Sequence, residues 1–510
     1  MNIKKAVSLA LVVGIALGTA GCGEKPVDYD FTVNYDDVKT ANVSSGVSVH
    51  DPSILKANGT FYIFGSHMSC AKSTDLLNWE KVADGYSRSN PVYGQIYDVA
   101  DEAFAYSGNA SSAIKTDDGT THVWAPDVIY NKTTGLYYMY YCTTSTWNAS
   151  NLCYGISKTP EGPYEWQGAL IYSGFDSSTI QYTDVLDYVD ETYTKVHYIK
   201  NGAYNFENCP NAIDPTVFYD KDDRMWMVYG SWSGGIFLLE LDPDTGKVIH
   251  PAADEENGVD PYFGKKLMGG GHLSIEAPYI MYDEVSGYYY LFVSYGSLVS
   301  NGGYQIRVFR SETVNGEYVD MNGAYPKKGS AHSRYGLKLS GNYELPSMKT
   351  AYMATGHNSA FVDEDGKMYV VYHTRFNDGG EYHSPRVHQM FTNQEGWLCE
   401  LPYQTQGETI SETGYDTEEA AGRYYMIDQG TDISSNIACP EVFYLNKDGS
   451  VTGKEIEGTW EMTDGTYYMH LTMGEEEYSG IFCRMKDEAG TDVMTFSAVG
   501  ANKSVWGVKY

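Results

Sequence analysis

Glu276-Ala277-Pro278-Tyr279-Ile280 runs through a polar turn to Gly287-Tyr288-Tyr289-Tyr290-Leu291-Phe292. A short apolar strand, a turn and an aromatic strand make a β-hairpin whose second strand is buried on both faces. The same unit stands four more times. Asp51-Pro52-Ser53-Ile54 leads to Gly59-Thr60-Phe61-Tyr62-Ile63-Phe64, and Trp124-Ala125-Pro126-Asp127-Val128 leads to Gly135-Leu136-Tyr137-Tyr138-Met139-Tyr140. Asp214-Pro215-Thr216-Val217 leads to Met225-Trp226-Met227-Val228, and His357-Asn358-Ser359-Ala360-Phe361 leads to Gly366-Lys367-Met368-Tyr369-Val370-Val371. The turns supply the residues that accept positive φ. The copies are spaced widely enough for two more strands each, and radial repetition of such sheets is a β-propeller. Five copies predict five blades in an all-β protein. A β-sandwich gives no reason for one unit to recur five times.

After about Pro402 the pattern stops. A polar stretch, Gln404-Thr405-Gln406-Gly407-Glu408, precedes short strands such as Tyr467–Met473 and Val493–Ser497, which predict a small C-terminal β-barrel or sandwich. The expected division is an export segment over 1–22, a linker over 23–40, a five-bladed catalytic propeller over 41–403 and a C-terminal barrel over 404–510.

Composition agrees with this and narrows the partners. Of 510 residues, 47 are Tyr and 53 are Gly, which favours strands and turns over helices. Lys and Arg number 35 against 67 Asp and Glu, a net charge of -32. Such a field repels phosphate backbones and anionic lipid, so nucleic acid is excluded as a partner and a neutral glycan is compatible. Lys4 and Lys5 precede an apolar run from Ala6 to Leu17, too short for a membrane span and typical of an export signal. Thr19-Ala20-Gly21-Cys22 is similar to a bacterial lipoprotein processing site, so the only membrane tie expected is a lipid on Cys22; ordinary cleavage would leave a freely secreted chain. Seven further cysteines lie scattered without C-x-x-C pairing, so no disulfide framework or zinc site is indicated.

Where the acidic residues fall within the repeat carries the chemistry. Asp51, Asp214 and Glu276 each open a unit, one or two residues before a proline, at the entrance to what should be the innermost strand. Innermost strands surround the axis of a propeller, so three carboxylates should face one another at one mouth of its channel. Gathered like charges push pKa values apart, keeping one carboxyl protonated as an acid while another stays ionised as a base. Glycoside hydrolysis needs that division. Asp220, Asp222, Asp223, Asp363 and Asp365 are expected to be solvated turn residues. Trp124 and His357 fall at or near the same address in the remaining units. Trp124, and Trp147 just after a repeat strand, offer aromatic faces for a sugar ring. His357 has no partner at zincin spacing, and G-x-S-x-G and P-loop motifs are absent.

These motifs resemble family 43 of the glycoside hydrolases, and within it the endo-acting arabinanases. The matching stretches are Val49-His50-Asp51-Pro52-Ser53, Trp124-Ala125-Pro126-Asp127, Asn211-Ala212-Ile213-Asp214-Pro215, Ser274-Ile275-Glu276-Ala277-Pro278 and Gly356-His357-Asn358-Ser359. Met494–Ala498 and Ser504–Gly507 look like the extra barrel of two-domain members. The resemblance implies that Asp51 is the general base, Glu276 the general acid and Asp214 the carboxylate that tunes the acid. It implies that His50, Asn211, Ala212, Ile213, Ser231, Trp232 and Ser233 line the substrate, and that His357 faces a calcium in the central channel, largely through water, since Ca²⁺ prefers oxygen ligands. The implied activity is inverting cleavage of internal α-1,5 bonds of arabinan, a pectin side chain, by an extracellular monomer. An exo-acting arabinofuranosidase or β-xylosidase on the same scaffold, or a non-catalytic glycan-binding lipoprotein, are the alternatives. Loops such as Ser178 to Cys209 decide between open cleft and closed pocket.

Overall fold

The computed structural model describes residues 28–108, 112–113, 122–145 and 148–510. The export segment, Cys22 and Trp147 lie outside the described residues. Four antiparallel sheets stand apart as propeller blades, each led by one of the repeated hairpins. The first holds Ser53–Ala57, Thr60–Gly65, Ser69–Ser73 and Glu80–Ala83; the second His122–Asn131, Leu136–Thr144, Ser150–Ser157 and Glu165–Tyr172. The third is built on Thr216–Tyr219, Met225–Tyr229, Ile236–Leu241 and Gly264–Met268; another holds Tyr352–Val362, Met368–Phe376, Ser384–Thr392 and Leu398–Glu400.

The remaining hairpin behaves differently. Ile275–Asp283, Tyr288–Tyr295, Gln305–Ser311 and Leu337–Ser340 head a twelve-stranded sheet that continues, through a parallel pairing of Lys338 with Lys503, into eight C-terminal strands. Those eight close into a barrel because Lys503–Lys509 pairs with both Gly422–Asp428 and Asp492–Gly500. Closure removes the open edges. The described part of the expected linker lies against this barrel: Tyr29 packs edge-on to Tyr444 with ring centroids 4.9 Å apart, and Arg423 donates to the Thr32 carbonyl at 2.6 Å.

Local chemistry sets the hairpins. In the first, Asn58 and Gly59 both take positive φ (52° and 75°) between the paired Ala57 and Thr60, the two-residue turn whose twist suits the flanking strands. The second strands are buried on both faces as the sequence predicts, Met225–Tyr229 throughout its length. Asp220 differs from expectation. It is buried, accepting from the amides of Asp222 and Arg224 and from Trp226 Nε1, each at 2.9 Å; three donors offset the cost of enclosing the carboxylate.

The inner strands share one further feature. A non-glycine residue takes left-handed φ at the head of each hairpin: Asp51 (57°), Ala125 (43°), Asp214 (54°), Ala277 (53°) and His357 (47°). Register breaks follow at Trp124/Asp127, Glu276/Tyr279 and Gly356/Ser359, bulges that re-aim the side chain at a strand end. Such conformations cost roughly 1–3 kcal/mol each and persist only where surroundings hold them. Here neighbouring side chains catch the strained amides. Ala125 N–H donates to Ser66 Oγ (2.8 Å), Ala277 N–H to Asp214 Oδ2 (3.2 Å), His357 N–H to Ser294 Oγ (2.8 Å) and Asp51 N–H to His373 Nδ1 (3.3 Å).

A second set of bonds ties the inner strands to one another. Ser359 Oγ donates to the Pro52 carbonyl (2.8 Å) and accepts from Ile54 N–H (3.1 Å). Ser53 Oγ donates to Asp127, whose other oxygen accepts from Val217 N–H at 2.6 Å, and Thr216 Oγ1 donates to the Pro278 carbonyl at 2.7 Å. Asp127 thus staples the strands that carry Asp51 and Asp214. Asp127→Ala, leaving two buried donors unpaired, is expected to cost on the order of 3 kcal/mol of stability, read as a lower urea midpoint at unchanged slope.

Candidate active site

The left-handed residues at the strand heads bring Asp51, Asp214 and Glu276 together around His357. Asp51 and Asp214 are themselves the left-handed residues, whereas Glu276 precedes one, as Trp124 does. Asp51 is buried, with Ser66 Oγ donating to Oδ2 and His357 Nδ1 at 2.9 Å from Oδ1. Asp214 is buried and holds the amide that follows Glu276. Glu276 accepts from Tyr304 OH at Oε1 (2.7 Å), and from Trp232 Nε1 (2.7 Å) and Ser231 Oγ (3.2 Å) at Oε2.

The carboxyls are electrostatically unequal. Burial pushes Asp51 up, but the charge and hydrogen bond of His357, with the neighbouring His50 and His373 imidazoles adding to them, hold Asp51 well below the usual carboxylate range. Burial lowers His357, but Asp51, Asp214 and Glu276 together raise it to about 9. Burial raises Asp214 to about 7, with His357 opposing and the Glu276 and Asp51 charges adding. Burial also raises Glu276, against donation from Tyr304 and Trp232. One carboxyl is therefore kept ionised, and the facing pair favours holding a proton.

The other predicted residues gather around this group to differing depths. Trp124 is half-buried, its ring 5.4 Å from that of His122. Asn211 is buried, its amide oxygen accepting from Ser150 Oγ at 2.8 Å. Ala212 is enclosed, with its N–H donating to Ser173 Oγ at 2.9 Å, and Ile213 accepts the Gly230 amide at 3.0 Å. These three shape the wall behind Asp214. Ser233 Oγ donates to Asn148 at 2.7 Å. Trp232 meets His272 edge-on at 5.2 Å, and His272 in turn meets Phe206 at 6.5 Å, so the long loop ending at Cys209 reaches the rim of the site. His50 stands beside Asp51, Nε2 to Oδ1 3.1 Å.

Sequence reasoning missed Ser66, Tyr304, His373 and His383. Tyr304 is one of 47 tyrosines in no repeat position, and His373 lies within a hairpin's second strand, Met368–Phe376, with nothing local to distinguish it. Only the closed ring brings them to the carboxylates. His357, Asn358 and Ser359 join Asp51, Pro52, Ser53, Ala125, Pro126, Pro215, Thr216 and Tyr279 around a narrow axial cavity.

Inner-strand carboxylates of unlike protonation at a propeller mouth define a glycoside hydrolase site, and the family model for glycosyl hydrolases family 43 matches residues 41–190 and 187–398. The chain belongs to that family. Residues 402–507 match its C-terminal lipocalin-like domain. The chain is 37% identical over 481 residues, 91% of its length and 93% of the relative's, to extracellular endo-α-(1→5)-L-arabinanase 2 of Bacillus subtilis, and 36% identical over 479 residues (90% and 93%) to the extracellular endo-α-(1→5)-L-arabinanase of Thermotoga petrophila. The crystal structure of the Thermotoga petrophila endo-1,5-α-L-arabinanase with Tris aligns with TM-score 0.79, covering 92% of this chain and 99% of that one at 36% identity.

Tyr304→Phe removes a donor that lowers the pKa of Glu276, so the pKa should rise and the alkaline limb of kcat/KM move to higher pH. A hydrogen bond to a charged group is worth about 1.5 kcal/mol, hence a shift of about one pH unit.

Proposed function

We propose that this protein is an extracellular inverting glycosidase that cleaves internal α-1,5-L-arabinofuranosidic bonds of arabinan. Supporting the substrate are two relatives, similar over nine-tenths of the chain, whose names carry that activity. One observation carries the mechanism: Asp51 is held ionised by His357, while burial biases Glu276 and Asp214 toward the protonated form. Asp51 takes the proton of a water as its oxygen attacks the anomeric carbon. Glu276 gives its proton to the departing glycosidic oxygen. Asp214 holds the chain at Ala277 and, by its own charge, resists early ionisation of Glu276. Trp232, Ser231 and Tyr304 fix the acid's orientation, which proximity catalysis requires.

The catalytic unit is inferred to span 41–403 and the barrel 404–510, and the strands from Ile275 are read as a fifth blade. Supporting this blade are the left-handed residue it shares with the other four hairpins and its bonds to both neighbours, Thr216 to Pro278 and His357 N–H to Ser294. For the channel, a calcium ion is proposed near His357. The amide nitrogen and oxygen of Asn358 line the axial cavity with no partner among the described residues, which suits a hydrated ion, and His357 and Asn358 would face it with water completing the oxygen ligands. Such an ion supplies fixed positive charge at the channel end. An N-terminal lipid on Cys22 remains part of the proposal for how the enzyme is retained at the cell surface.

Three measurements test this reading. Debranched arabinan should yield mixed oligosaccharides early in digestion; arabinose alone would indicate exo action. Asp51→Asn and Glu276→Gln should each lower kcat by at least about 10²-fold, the scale of losing a general base or acid, and turnover at the wild-type rate in either would overturn its role. Chelation should release about one calcium per chain and lower the thermal midpoint, with both reversed on adding calcium back.

A further inference from the structure

His50, His373 and His383 place imidazole nitrogens within 4.8 Å of one another, directly behind Asp51. The Nε2 atoms of all three are buried and without a hydrogen-bond partner among the described residues. His50 Nε2 comes within 3.1 Å of Asp51 Oδ1 without making such a bond. An orphaned buried polar atom is costly, and three converging ones need a common partner. The rings converge rather than simply stack. His383 lies over His50 at 3.9 Å but splayed by 25°, and His373 stands edge-on to both, at 5.1 and 4.8 Å.

Imidazole nitrogen suits Zn²⁺, Cu²⁺ and Ni²⁺ and not Ca²⁺, so this cluster differs in kind from the oxygen-rich channel beside it. Burial lowers His50 to about 4 and His373 well below the ordinary range, and lowers His383 to about 2, leaving neutral rings with lone pairs available. His373 Nδ1 accepts from Asp51 N–H at 3.3 Å, so ligation through Nε2, which places the ring proton on Nδ1, breaks the bond that holds the strained Asp51 amide.

We propose that His50, His373 and His383 form a binding site for a transition-metal dication of the Zn²⁺ class, and that its occupancy inhibits the enzyme through Asp51. Binding stands on the three imidazoles alone; inhibition rests on Asp51 being the general base. Three imidazoles would leave a fourth coordination position for water. Losing the bond from Asp51 N–H to His373 Nδ1 would free the backbone that aims the Asp51 carboxylate at the water it must deprotonate.

The test uses the full chain, treated with chelator and resupplied with calcium, then titrated with ZnCl₂ by calorimetry and assayed on arabinan. Expected are one saturable equivalent of Zn²⁺ and loss of activity over the same concentration range, with His383→Ala weakening binding by at least about tenfold and relieving inhibition in parallel, the scale of damage to a metal site. His383 lies at the partly exposed edge of the cluster, and His373→Gln is the second variant, each checked for folding by its thermal midpoint. Absence of saturable binding, equal affinity in wild type and both variants, or release of Zn²⁺ by excess calcium would overturn the site. Saturable binding with undiminished turnover would overturn the inhibition. Failure of the glycosidase reading would appear separately, as no activity in the zinc-free enzyme.

Discussion

Everything in the site depends on the left-handed turn at the head of each inner strand. A strand entering the sheet in ordinary extended conformation would direct successive side chains to the two faces of the sheet; the positive φ at Asp51, Ala125, Asp214, Ala277 and His357 redirects them at the strand end. Each such residue is strained, and isolated hairpins would relax it. The ring prevents relaxation because the amides are held by groups from other elements, Ser66, Asp214, Ser294 and His373. Asp214 belongs to both systems: it bonds the backbone that presents Glu276, and the Glu276 charge in turn helps raise the pKa of Asp214.

Burial and charge act in opposite directions on the carboxyls, and the position of His357 decides which prevails. At Asp51 the imidazole is 2.9 Å away and desolvation loses. At Asp214 and Glu276 the same histidine also opposes protonation, but desolvation dominates. A single cationic group placed asymmetrically among three acids therefore holds one ionised while burial biases the other two toward the neutral form, with no need for different residue types. The net charge of -32 plays no part in this, since exposed charges are screened within roughly 10 Å by salt.

The C-terminal barrel is joined to the propeller by backbone pairing, and buried side chains reinforce the junction. Arg307 is enclosed between the two, donating to the Gly336 carbonyl at 3.0 Å and to the Thr431 carbonyl at 2.5 Å, while Tyr343 packs edge-on against Trp506 at 5.1 Å. A buried guanidinium is tolerated because its donors are paired. The sheet that carries Glu276, with Tyr304 just before one of its strands, is the one the barrel extends.

Hairpin periodicity, turn chemistry and the recurrence of an acidic or aromatic residue before proline are local properties, readable from the order of residues because neighbours in sequence enforce them. They sufficed for the all-β class, for the C-terminal change of pattern and for singling out Asp51, Asp214, Glu276 and His357, which the fold brings together. Ring closure is not local. It alone brought Tyr304 onto Glu276, Ser66 onto Asp51 and the imidazoles of His373 and His383 beside His50, and it enclosed Asp220, which sequence reasoning left in solvent. The residue order determined which groups stand at strand entrances; the tertiary structure decided their protonation, because desolvation and Coulomb interaction depend on distances between residues hundreds of positions apart.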